Sequence, residues 1–155
     1  MILSEILNPQ GVACRETAGS KKRLLEKVSK LLAAAQGLNE IAVFDKLLER
    51  ERLGSTGLGH GVAIPHCRMR EARSADVALM TLQGGVNFEA RDGKPVDIVF
   101  ALIVPEHCTE THLQILANAA EMFSDTAFCA QLRASETNQQ LYDLVSCWQP
   151  HSLSA

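Results

Sequence analysis

The sequence predicts a single-domain α/β fold: a mixed β-sheet flanked by helices on both faces. Three observations predict it. The run from Ile98 to Val104 is apolar at every position, as a central strand covered on both faces requires. Segments whose apolar residues recur at helical spacing stand before and after that run, so helices are available to cover both sides. The chain's 155 residues contain no repeat, coiled coil or linker, and that length suffices for one ordinary domain. Residues 1–150 are expected to form the domain, and residues 151–155 a frayed, disordered tail.

Taken in order, Ser20 precedes a helix with Leu24, Leu25, Val28, Leu31, Leu32 and Ala35 on one face, ending near Gly37. A second helix begins near Asn39 and is expected to bury Ile41, Phe44, Leu47 and Leu48. Val62-Ala63-Ile64 reads as a short strand, Val77 to Leu82 as another, and Gln83 to Lys94 as turn-rich. Ile98 to Val104 follows, although periodicity alone also permits a buried helix there. From Thr109 onward Leu113, Leu116, Ala120 and Phe123, widened by Ile115 and Ala119, mark a third helix that Thr109 or Thr111 can cap. Ser135 is expected to open a final helix with Leu141, Leu144, Val145 and Trp148.

Composition bounds the function. Hydrophobic residues make up 46% and charged residues 21% of the chain, which describes a globular protein rather than a disordered one. A formal net charge of −3 supplies no general basic field, so nucleic acid is not an expected partner, and Lys21-Lys22-Arg23 reads as a helix's solvated start. There is no basic leader before a long apolar core, and no apolar stretch of about 18 residues, so membrane insertion is not expected. Five cysteines without paired short spacing suit a reducing compartment. The expected location is cytoplasmic. Cys14, Cys129 and Cys147 read as buried or partly buried thiols.

The most informative segment is Gly54-Ser55-Thr56-Gly57-Leu58-Gly59-His60-Gly61-Val62-Ala63-Ile64-Pro65-His66-Cys67-Arg68. Its glycines permit a bent backbone that other groups approach closely. Pro65 holds Ile64 extended, so the short strand delivers His66 at its end. Ser55 and Thr56, with successive amides around Gly57 and Gly59, are candidate donors to phosphate oxygens. A neutral imidazole keeps a lone pair near neutral pH, so His66 is a candidate nucleophile that needs no separate base. A zinc site drawn from His60, His66, Cys67, His107, Cys108 and His112 is disfavoured, because neighbours on an extended chain point to opposite sides. No metal or cofactor is expected.

This run resembles the active-site signature of type-2 IIA phosphocarrier proteins of the bacterial sugar phosphotransferase system, and most closely the nitrogen-regulatory branch. The resemblance continues through Leu47-Leu48-Glu49-Arg50-Glu51-Arg52-Leu53, through Pro95 to Pro105, and through Thr111-His112-Leu113. It implies a mixed α/β domain in which His66 is phosphorylated on its distal ring nitrogen. It further implies that His112 hydrogen-bonds the phosphoryl group and that Arg50 stabilises it. Spacing alone does not choose between Arg50 and Arg52, and without the resemblance His112 reads as a surface histidine near a helix start. His60 and Cys67 depart from the Asn and Gly common in the family.

The implied donor is a small histidine phosphocarrier of the HPr class in its nitrogen-branch form, NPr. Leu53, Leu58, Val62 and Met69 are candidates for the apolar ring that meets it, with burial in the core an equal alternative for Val62. Regulation of target proteins through phosphorylation state is the expected role. A mannitol- or fructose-type IIA component passing phosphate to a IIB protein, and a nonenzymatic binding module of the same fold, are the alternatives.

Overall fold

A computed structural model describes residues 3–149, and the expected tail from 151 lies outside them. After a short 3-10 turn at Leu3–Glu5 come β1 (Leu7–Glu16), α1 (Lys21–Gln36), α2 (Glu40–Glu51), β2 (Gly57–Gly59), β3 (Val62–Ala63) and β4 (His66–Met69). β5 (Asp76–Val86), β6 (Val96–Pro105), α3 (Thr109–Ser124), α4 (Thr126–Ala134) and α5 (Asn138–Cys147) complete the chain. The strands form one mixed sheet in the order β1-β5-β6-β3-β2, with β4 also on β6. β6 is antiparallel to β5 and parallel to both β3 and β4.

Side chains alternate across a strand, and here the alternation divides the interior into two cores. Val62, Ile64, Leu79, Ile98, Phe100, Leu102 and Val104 face α3, α4 and α5. Ala63, Cys67, Met69, Met80, Val99, Ala101 and Ile103 face α1 and α2. Every residue from Ile98 to Val104 is fully buried, so the continuous apolar run is the central strand, covered on both sides.

The α1 caps lie where expected. The Ser20 hydroxyl accepts from the Arg23 amide, and Gly37 takes the left-handed conformation at φ 67°. Other expectations are corrected. Within α1, Ala35 is exposed and Leu31 only half-buried. β5 runs to Val86, into the segment expected to be turns. In α2 the buried stripe is Val43, Leu47 and Glu51, four residues apart, while Ile41 is 71% exposed. α3 starts after Cys108 without a side-chain cap, buries Ile115, Ala119, Met122 and Phe123, and leaves Leu113 and Ala120 exposed. Ser135 closes α4, an element the sequence reading lacks; α5 is opened by Thr137 in a reciprocal capping box with Gln140. Cys147 is exposed. β1 is the other unread element: it contains Pro9 and Gly11 and pairs irregularly with β5, which obscures any alternation.

Candidate functional site

β3 and β4 follow one another along β6, interrupted at Ile64-Pro65, so His66 opens β4 rather than ending the preceding strand. It pairs in register with Leu102, and Cys67 with Ile103. His66 therefore faces the α3 layer, and Cys67 the α1–α2 core. On α3, His112 lies in the first turn, and its ring centroid is 5.1 Å from that of His66 at an interplanar angle of 61°. The register of β4 on β6 is what brings together two histidines 46 positions apart in sequence.

The His66 ring is oriented by its own strand. Its Nδ1 lies 2.8 Å from the Ile64 carbonyl oxygen. A carbonyl only accepts, so Nδ1 carries the proton and Nε2 holds the lone pair. Burial lowers the His66 pKa and the Arg50 guanidinium adds to this, against the opposing effect of the Ile64 hydrogen bond. His112 is lowered to about 4, first by burial and then by His66, Arg68 and Arg50. Both rings are neutral at pH 7. His112 Nε2 is buried and has no hydrogen-bond partner among the described residues, so one polar atom beside His66 is left with its bonding capacity unused.

A cleft of about 500 Å³ opens at this rim, lined in part by Arg50, Gly57, Leu58, Ile64, His66 and Arg91. Arg50, in the last turn of α2, donates to the Gly54 carbonyl at 3.1 Å. Its neighbour Glu51, to which the sequence reading assigns no role, organises the loop. Glu51 accepts from the Thr56 amide at 2.9 Å and the Thr56 hydroxyl at 2.6 Å, and it pairs with Lys21 at 2.9 Å. Lys21 is thus not simply solvated; its side chain is 19% exposed and lies over the Phe88 ring. A carboxylate at the third position of an apolar stripe was the available signal for Glu51.

The loop's polar groups are turned inward. The Ser55 hydroxyl donates to the Phe88 carbonyl and accepts from the Gly57 amide, and the Thr56 amide and hydroxyl are held by Glu51. Of the expected donors, both hydroxyls and the amides of residues 56 and 57 are therefore engaged within the protein. Gly57 is needed for close approach, since a Cβ there would lie 2.7 Å from the Ala90 Cβ. Gly59 and Gly61 have positive φ, and so does His60, at 56°. Histidine, like asparagine, is enriched in that left-handed region, which accounts for His60 in a tight β2–β3 turn. Cys67 is buried and its thiol is raised to about 12 by burial, so it is an inert core residue. Of the apolar ring candidates, Leu53 and Leu58 are exposed, whereas Val62 and Met69 are buried in the two cores and cannot meet a partner. Among the described residues, no three His, Cys, Asp or Glu side chains are grouped to hold a metal ion, and no helix is long and apolar enough to cross a membrane.

The fold and the site together define a class: a small mixed α/β protein with a neutral imidazole pair and a guanidinium at one rim of the sheet. The chain belongs to the EIIA 2 family of the phosphoenolpyruvate-dependent sugar phosphotransferase system, matching it over residues 5–147. It is 41% identical over 144 residues to a nitrogen regulatory protein of Pseudomonas aeruginosa, covering 92% of this chain and 94% of that one. It is 39% identical over 145 residues to the nitrogen regulatory protein of Escherichia coli K12, covering 93% and 89%. The crystal structure of nitrogen regulatory protein IIA-Ntr from Neisseria meningitidis superimposes with a TM-score of 0.87 at 39% identity, covering 92% of this chain and 97% of that one.

Proposed function

We propose that this chain is a nitrogen-regulatory phosphocarrier that accepts a phosphoryl group on Nε2 of His66 from an HPr-like histidine phosphocarrier of the nitrogen branch. Its phosphorylation state then controls which target proteins it binds. The observation that carries the chemistry is the Nδ1 contact of His66 with the Ile64 carbonyl, which leaves Nε2 as the lone-pair nitrogen of a neutral ring. In the transfer, Nε2 attacks phosphorus as the donor's N–P bond breaks, and that bond's electron pair returns to the donor imidazole. Charge spreads over three equatorial oxygens, so positioned donors matter more than acid–base catalysis. With an Nε2 proton, His112 offers its unpartnered group to one oxygen, and Arg50 offers charge to another. Added phosphate brings between about one and two negative charges to the rim, enough to make or break a protein contact. The nitrogen regulatory relatives support the regulatory role.

Incubation with phosphoenolpyruvate, the first phosphotransferase enzyme and the carrier should add one acid-labile phosphate, read by intact mass and peptide mapping, and His66→Ala should abolish it. The same label persisting in that variant would overturn the assignment. His112→Ala should slow transfer with the fold retained. Rapid onward transfer to an isolated IIB protein would replace regulation with sugar transport.

A further inference from the structure

We propose that Arg91 is a second phosphate-binding guanidinium of this site, a role that rests on phosphorylation of His66. Arg91 lines the same cleft as Arg50 and His66 and belongs to the connection between β5 and β6. Three contacts stitch that connection to the histidine loop. The Ser55 hydroxyl donates to the Phe88 carbonyl at 3.0 Å, Gly57 packs against Ala90, and the His60 amide donates to Asp92 Oδ2 at 2.9 Å. Arg91 lies between the second and third of these anchors, so its backbone is held in place at the cleft.

The neighbouring charged side chains are committed. Asp92 accepts from the amides of His60 and Lys94, Glu89 faces Lys21 at 3.8 Å, and Arg50 already donates to the Gly54 carbonyl. Arg91 has no ion pair or hydrogen bond among the described residues. The Thr56 and Gly57 amides are also engaged, so the loop backbone offers an anion less than its glycine content suggests. A dianion on His66 is then met by side chains, and the uncommitted guanidinium at the cleft is Arg91. Its planar fork suits two phosphoryl oxygens in a way a lysine ammonium does not.

The test is the equilibrium constant for phosphoryl exchange between the phosphorylated carrier and this chain, measured from both directions with full-length proteins. That constant depends only on the free species, so it reports contacts to the phosphoryl group and is blind to docking. Arg91→Ala should lower it about three- to tenfold, the range for a partly exposed charge-assisted hydrogen bond. Arg91→Lys should fall between the two, and it keeps the proposal testable if the alanine variant is poorly folded. An unchanged constant in both variants, with only the KM for the carrier raised, would make Arg91 a docking residue and overturn the proposal. Absence of phosphate on the wild-type chain would instead overturn the reading of His66.

Discussion

Glu51→Gln tests whether the buried carboxylate holds the histidine loop in place. The Glu51 side chain is 3% exposed and serves three donors: the Thr56 amide, the Thr56 hydroxyl and the Lys21 ammonium. Glutamine keeps one acceptor oxygen and turns the other into an NH2 group facing donors. At least one buried donor loses its partner, which costs about 1–3 kcal/mol. Removing one member of a buried ion pair costs about 3–5 kcal/mol, but Lys21 is 19% exposed and regains water, so the lower end applies. The expected loss is about 2–3 kcal/mol, a fall in Tm of roughly 4–12 °C for a domain of this size. Urea unfolding followed by circular dichroism measures it, with Lys21→Met and the double variant completing a cycle. A coupling of about 1 kcal/mol or more is expected for groups in direct contact. A Glu51→Gln variant within about 0.5 kcal/mol of wild type, or additive single variants, would refute the reasoning.

The His112 pKa is lowered from 6.5 to about 4, so between those values the unfolded chain binds the extra proton and the native chain does not. Stability therefore rises with pH across that window and is fully present above it; His112→Gln should flatten the rise in urea midpoints measured at stepped pH, leaving the smaller contribution from His66, whose shift has the same sign. A slope unchanged by the substitution would contradict the burial of this ring. Gly61→Ala should cost about 1–3 kcal/mol, since it forces a side chain into φ 83° and sets a Cβ 2.5 Å from the Arg133 guanidinium and 2.8 Å from the Asp97 carboxylate. Differential scanning calorimetry would show this as a lowered Tm, and an undiminished Tm would mean that the turn relaxes freely.

Much of the fold is legible because local chemistry and global position agree in it. Ser20 and Gly37 bound α1 through their side chain and backbone alone, and the unbroken apolar run of β6 needs two covering layers. β1 is not legible, because Pro9, Gly11 and its irregular pairing remove the alternation that marks a strand. α4 goes unread because Ser135, a good cap residue, reads as the start of a helix, whereas it closes α4 two residues before Thr137 opens α5. Ile41 shows a different limit: helical spacing defines a stripe but not which of two adjacent stripes meets the core. At the site, His66, His112 and Arg50 stand out in sequence by residue type and motif. Glu51 and Arg91 do not, since their roles come from distances across the fold to Lys21, Thr56 and the cleft.

The stitching between the β5–β6 connection and the histidine loop makes the two a single unit of change. A Cβ at residue 57 needs space taken from residue 90, and an insertion in either loop pulls apart the Ser55–Phe88 and His60–Asp92 contacts. The histidine loop is therefore not portable: transplanted alone into another scaffold, it would lose the surface that shapes it. Change at this rim is therefore confined to the identity of outward side chains and does not extend to loop length.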